Sequence, residues 1–392
     1  MRIAIFTETF LPKVDGIVIV LCHFLDYLAD QGHEVLLFAP GGGPDQYACA
    51  DVVGLRGYRF FLYPELTLVP PVKGIRKPLL DFNPDLIYLV NPASLGLAGI
   101  PYARLLGVPL VASYHTDVPG FAARWGMGYT QRPLWAYFRQ VYNRADLIFV
   151  PSHFTRQQIE THGFKRVKVW SHGVDSKLFS PAKRSEEMRA RLTCGEPDKT
   201  LLLYVGRVAA EKRIDWLLPI VQKHSNLRLA IVGDGPARAF LEKKFAGTPT
   251  VFTGYLYDEE LAQAYASADI FTFPGANETF GNVVIEAMSS GLPVVVPNSG
   301  GLLDFVEDGI NSLLFDAENP EDMNLAIQQF LTEPELTRKI GQAARAKAET
   351  LSWESVNQGV IRDLSLLIEN RGKRGWQQLS RKFLKKDVQL DS

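Results

Sequence analysis

Between Pro274 and Gly291 the chain reads PGANETFGNVVIEAMSSG, with two carboxylates, Glu278 and Glu286, eight residues apart. An apolar strand ends before this segment. The spacing then predicts a loop and a short helix, capped by Asn282 and stopped by Gly291. The backbone amides of Phe280, Gly281, Asn282 and Val283 would stand at the positive end of that helix, an anion site suited to a pyrophosphate. A carboxylate at Glu278 has the acceptors to fix sugar hydroxyls, and one at Glu286 can hold a ribose diol. A capped helix with an acid in its first turn accounts for the same spacing without a ligand.

A second cluster, Tyr204–Arg213 (YVGRVAAEKR), follows another apolar run. Arg207 and Lys212 fall in its strand-to-helix loop, where cations can stabilise the charge of a departing diphosphate; a solvated loop with surface ion pairs is the alternative. In VGDGPAR, Gly233 and Gly235 form a GxG, but position 238 is Arg where a dinucleotide fingerprint has Gly or Ala, which disfavours a nicotinamide enzyme. Lys13–Gly16 (KVDG) follows the first strand, and Gly16 admits close backbone approach to a ligand. His115 (ASYHTD) stands near another strand end; a lone histidine is more often structural, but strand-end polar residues in this architecture favour a site.

The elements that would position these residues alternate regularly. Apolar runs at Arg2–Phe6, Glu34–Ala39, Leu86–Val90, Leu110–Ser113 and Leu147–Val150 are separated by helix-length stretches. So are those at Leu201–Val205, Arg228–Val232, Val251–Thr253, Ile270–Phe273 and Val294–Val296. Near-continuous apolar strands alternating with helices predict parallel sheets covered on both faces. The expected fold is therefore α/β, with two doubly wound Rossmann-like domains facing across a cleft. The expected divisions are 1–172, 173–352, a helix over 353–370 returning to the first domain, and a basic tail over 371–392.

Composition narrows the class. The 392 residues carry 42 basic and 43 acidic side chains, a balance that gives no field for nucleic acid. Cys22, Cys49 and Cys194 are too few and too scattered for a disulfide framework or a zinc ribbon, so a reducing cytoplasm is expected. The opening MRIAIFTETF has too short an apolar run for a secretory leader. Residues 86–103 carry no charge, but Asn91, Pro92, Ser94 and Pro101 interrupt them; a buried strand, a turn and a buried helix are expected.

Two stretches are basic and aromatic. No acid lies between Asp117 and Asp146, where Arg124, Arg132, Arg139 and Arg144 alternate with Phe121, Trp125, Tyr129, Trp135, Tyr137 and Phe138. Residues 371–386 hold seven cations and no acid, with Trp376, Leu379, Phe383 and Leu384 at helical spacing. Both patterns suit an anionic bilayer surface. A solvated tail suits 371–386 equally, and ordinary packing with a polar outer face is the alternative for 121–144.

In combination these residues resemble the family 4 retaining glycosyltransferases of the GT-B fold, from FTETFLPKVDGI to about Trp353. The resemblance rests on the glycine loop at Gly16, His115, HGVD at 172–175, GR…EK at 207–212, and the Glu278–Glu286 pair. It implies that Gly16 packs against the donor diphosphate, which Arg207 and Lys212 neutralise. It further implies that Glu278 holds the donor sugar, Glu286 the ribose, and that His115 bonds the sugar near the reacting centre. The family's retention proceeds by front-face attack assisted by the leaving phosphate, so no protein nucleophile, cofactor or metal is expected.

Within the family, FTETFLPKVDGIV, LYPEL, NPASLGL, SYHT and W-x-x-GVD resemble the sulfolipid synthase group, which moves sulfoquinovose from UDP-sulfoquinovose to diacylglycerol. Lys13 would then pair with the sulfonate. Asp117 stands where that group usually carries a histidine, the loop Gly275–Ala276–Asn277 is not the usual form, and SYHTDVPGF and ETFGNVV also resemble mannose- and glucose-transferring relatives. The alternatives are a GDP-mannose- or UDP-hexose-dependent enzyme acting on another lipid or a soluble acceptor, and a nucleotide-sugar epimerase. The leading expectation is a cytoplasmic transferase on a membrane face, with a nucleotide-diphosphate sugar and a lipid as partners.

Overall fold

A computed structural model describes the backbone of residues 1–387 apart from 14, 61–62, 70–73, 123–125 and 277, and the side chains of these residues except at 59–68, 121 and 372–387. The chain forms two compact units. One comprises Met1–Pro151, Arg156–Ser171 and Glu354 onward, and the other Ser152–Thr155 with His172–Trp353. Both are Rossmann-like, as in the GT-B fold.

In the first unit an eight-stranded sheet runs in the order Val167–Val169, Leu147–Val150, Leu110–Ser113, Leu86–Val90, Arg2–Thr7, Glu34–Pro40, Ala50–Leu55, Gln46–Tyr47. All neighbours are parallel except the last pair. Ile3–Phe6 and Leu37–Ala39 are completely buried, as a sheet covered on both faces requires. Each such aliphatic side chain contributes about 1.5–3 kcal/mol. The Phe6 and Phe38 rings stack at 4.7 Å across neighbouring strands.

The uncharged segment 86–103 is the buried strand Leu86–Val90, a turn, and the start of the helix Leu95–Leu106, with Pro101 inside it. The strands at Ala50–Leu55, Gln46–Tyr47, Val167–Val169 and the hairpin Tyr58–Phe60/Tyr63–Leu68 were not expected. Asp51 in Ala50–Leu55 and Lys168 in the edge strand Val167–Val169 interrupt the apolar-run pattern, and the edge strand Gln46–Tyr47 is only two residues long. The C-terminal helix is longer than the expected Trp353–Asn370, running from Trp353 to Asp387. It docks on its own unit: Val360 and Leu364 are buried, Lys168 meets Asp363 at 2.6 Å, and Arg371 donates to Gly107 O at 3.2 Å.

The second unit has a six-stranded parallel sheet in the order Thr250–Gly254, Leu227–Val232, Thr200–Val205, Ile270–Thr272, Val294–Pro297, Leu313–Phe315. The last of these, a short edge strand, was not expected. Thr200–Val205 pairs directly with Ile270–Thr272 although 64 residues of chain separate their ends. That is the point where the winding reverses, and in such sheets ligands sit beyond the carboxyl ends of the strands there.

Candidate functional site

Two loops leave the reversal point of the second sheet side by side. One, after Val205, carries Arg207 and ends in a tight turn at Ala210–Lys212. The other, after Thr272, carries Glu278 and leads into the helix Asn282–Ser289. Tyr204 and Phe273, at the strand ends, stack at 5.9 Å, and the Tyr204 hydroxyl donates to Arg207 O at 3.0 Å. Lys212 and Glu278 are joined by an ion pair. Gly301 N donates to Glu278 O at 2.7 Å, anchoring the second loop on the turn Gly300–Asp304.

The helix does not begin as its sequence suggested. Its N-cap is Gly281, in the left-handed region at φ 100°, and no side chain caps it. Asn282 is instead the first helical residue. His172 Nδ1 lies 2.8 Å from Asn282 Oδ1, so this side chain is engaged in a second task. With no side-chain cap, the leading amides of the helix are not taken up by a capping group, which is what an anion site needs, and Val284 N bonds back to Gly281 O at 3.0 Å. Glycine is favoured at 281 because φ 100° strains any other residue, and a Cβ there would also press within 2.1 Å on Leu302 Cδ2.

One turn further on, the Tyr265 hydroxyl donates to Glu286 Oε2 at 2.9 Å. Burial raises the Glu286 pKa to about 7, and this hydrogen bond opposes the rise. Burial pushes His172 down to about 4, against the opposing bond to Asn282, so the imidazole is neutral at ordinary pH. The GxG at Gly233 and Gly235 serves backbone packing: a Cβ on Gly233 would come within 2.0 Å of Gly206 O, and one on Gly235 within 2.4 Å of Val208 O.

In the first unit, the residues singled out lie at the carboxyl ends of its strands. His115 follows Leu110–Ser113, its amide donates to Asn91 Oδ1 at 3.4 Å, and its ring meets Trp170 edge-on at 6.3 Å. Gly16 is the first residue of the helix Gly16–Asp30. Asp15 caps that helix, accepting from Ile17 N and Val18 N at 3.0 Å each, and Lys13 pairs with Asp15 at 3.0 Å. These two amides are thus already engaged. Asp117 accepts from Gly120 N at 2.9 Å and Gln158 Nε2 at 3.2 Å, which accounts for a carboxylate at that position.

Sequence reasoning passed over Glu8. It is only 4% exposed and accepts from Ala93 N, Ser94 N, Gly96 N and the Ser94 hydroxyl at 2.7–3.0 Å, capping the helix Leu95–Leu106 at the reversal point of the first sheet. An acid directly after the first strand was the available signal. In the stretch 121–144, Trp135, Phe138, Val141 and Tyr142 are buried while Tyr129 is 81% and Tyr137 39% exposed, a packed face with a mixed outer one. Arg124, Trp125, Asn277 and the Phe121 side chain lie outside the described residues, as do the side chains of 372–386.

Two parallel-sheet units of this kind make up the GT-B fold. Residues 14–178 match the family model for glycosyltransferase family 4, and 186–347 that for glycosyl transferases group 1. A sulfoquinovosyl transferase of Arabidopsis thaliana is 37% identical over 363 residues, 90% of this chain and 71% of that protein. A GDP-mannose-dependent alpha-mannosyltransferase of Mycobacterium tuberculosis is 41% identical over 322 residues, 80% of this chain and 83% of that one. The solved structure of HepE from Anabaena in complex with UDP has the same fold, with a TM-score of 0.76 at 20% identity over 93% of this chain and all of that one. The chain belongs to glycosyltransferase family 4 and is a hexosyltransferase that uses a nucleotide sugar.

Proposed function

We propose that the chain is a retaining glycosyltransferase that moves sulfoquinovose from UDP-sulfoquinovose to diacylglycerol. The carrying observation is the similarity to a sulfoquinovosyl transferase across 90% of the chain. The uncapped helix at Asn282 supports the nucleotide-sugar part. Arg207, Lys212 and the amides of Phe280, Gly281, Asn282 and Val283 hold the diphosphate, Glu286 the ribose and Glu278 the sugar hydroxyls. Gly16 packs against the diphosphate, and His115 bonds the donor sugar. The bond from the anomeric carbon to the phosphate oxygen breaks, the acceptor oxygen attacks from the same face, and its proton passes to the leaving phosphate. Preorganised cations and amides lower the barrier by stabilising the charge that develops there. This scheme calls for no metal or cofactor.

Lys13 supplies the cation for the sulfonate, exchanging its bond to Asp15 for one to the donor. Replacing Lys13 by Ala should lower turnover of the sulfonated donor about tenfold more than that of UDP-glucose; equal losses would remove this role. The acceptor places the enzyme at the cytoplasmic face of an anionic membrane. Among the described residues no helix is long and apolar enough to cross a membrane. The basic aromatic stretch 121–144 supports surface contact. Flotation with anionic vesicles tests this, and absence of binding points to a soluble acceptor.

The 41% identity to a GDP-mannose-dependent enzyme favours a second reading, mannosyl transfer from GDP-mannose. Nucleotide release with diacylglycerol vesicles separates the two, measured across UDP-sulfoquinovose, UDP-glucose, UDP-galactose and GDP-mannose. Release only with UDP-sulfoquinovose and lipid is the expected result. Preference for GDP-mannose overturns the sulfolipid assignment and keeps the site. Nucleotide release independent of acceptor would signal hydrolysis rather than transfer.

A further inference from the structure

The Lys212 ammonium and the Glu278 carboxylate, both assigned above to the donor, are bonded to each other. Their side chains are 18% and 24% exposed, so solvent screens the pair much less than a surface ion pair. The Lys212 nitrogen also sits 5.1 Å from the centre of the Phe273 ring, a cation–π contact that fixes it beside the strand end. The cation proposed for the diphosphate is therefore already neutralised.

On the reading that this is the diphosphate position, we infer that Glu278 is the internal competitor of the diphosphate for Lys212, so that donor binding and product release proceed by charge exchange. A phosphate that takes Lys212 must displace the carboxylate, leaving Glu278 ionised beside an anion. Like charges at such a separation repel unless hydrogen bonds compensate the carboxylate. The intact donor brings that compensation in its sugar hydroxyls, which donate to the Glu278 oxygens. The nucleotide left after transfer brings none. Glu278 then recaptures Lys212, and the nucleotide is expelled although its terminal phosphate carries more charge than the donor's. One carboxylate thus serves twice, holding the sugar before transfer and displacing the product after it.

The test is a double-mutant cycle read on UDP affinity by titration calorimetry with the full chain: wild type, Glu278→Gln, Lys212→Gln and both together. Removing the competing charge should tighten UDP about tenfold in Glu278→Gln, equivalent to about 1.4 kcal/mol. In the Lys212→Gln background the same change should alter affinity less than twofold. Glu278→Ser, measured alongside, should also tighten UDP, so a folding fault in one variant does not decide the result. Turnover should fall in both Glu278 variants while inhibition by UDP rises. Unchanged or weaker UDP binding in both variants, or equal tightening with and without Lys212, overturns the exchange. Wild-type protein that binds neither UDP nor GDP overturns the donor-site reading itself, and the exchange with it.

Discussion

The Glu286 carboxyl titrates near 7 because burial beside Tyr265 disfavours its charged form. A native pKa raised above the unfolded value contributes stability that is fully present below about 4.5 and is lost as pH rises through about 7. Glu286→Gln should remove that dependence. Between pH 5 and pH 8 its melting temperature should gain on the wild type by several degrees, at about 2–4 °C per kcal/mol in a domain of this size. The binding consequence has the opposite sense, since a ribose diol needs the ionised acceptor. Donor KM should therefore rise several-fold as pH falls from 8 to 6, and Glu286→Gln should flatten that profile. The Asn282–His172 bond gives a separate prediction. Asn282→Ala takes this partner from a buried imidazole and should cost about 1–3 kcal/mol in a denaturant melt.

The strand-end loops depend on backbones that approach within contact of one another. Gly233→Ala would bring its Cβ within 2.0 Å of Gly206 O, in a left-handed conformation at φ 134°. We expect a loss of about 3–5 kcal/mol, measured by urea unfolding, with weaker nucleotide binding because the Arg207 loop must shift. Sequence spacing allowed the central strands to be placed within a residue or so, since continuous apolar runs leave no second face to confuse the period. It put Arg207 and Lys212 on one strand-end loop, Glu278 on its neighbour and Glu286 in the helix that follows, where they are found. It did not disclose that Lys212 and Glu278 bond each other, nor that Asn282 turns to His172. Those contacts join positions 66 and 110 residues apart, and no local pattern encodes them. The short edge strands escaped for a different reason, being only two or three residues long and so too brief to show a run.

The first unit is closed by residues from the far end of the chain. A protein ending at residue 352 would lack Val360, Leu364 and the ion pair of Asp363 to Lys168, all of which belong to that unit. The missing residues follow the second unit in sequence, yet the first should suffer. In calorimetry its transition should fall by 10 °C or more, or vanish, while the other keeps its midpoint. Loss of the second unit's transition instead would contradict this division.

Protein synthesis meets the same feature as an ordering problem. Domains made early on the ribosome usually fold early, as each emerges. Here the strands of the first unit emerge first, but their closing helix, from Glu354 onward, is made only after all of His172–Trp353. The second unit can be finished before the first. The nascent chain must therefore carry an incomplete first sheet, with the surfaces of Met1, His23 and Lys168 that receive the last helix still open to chaperones.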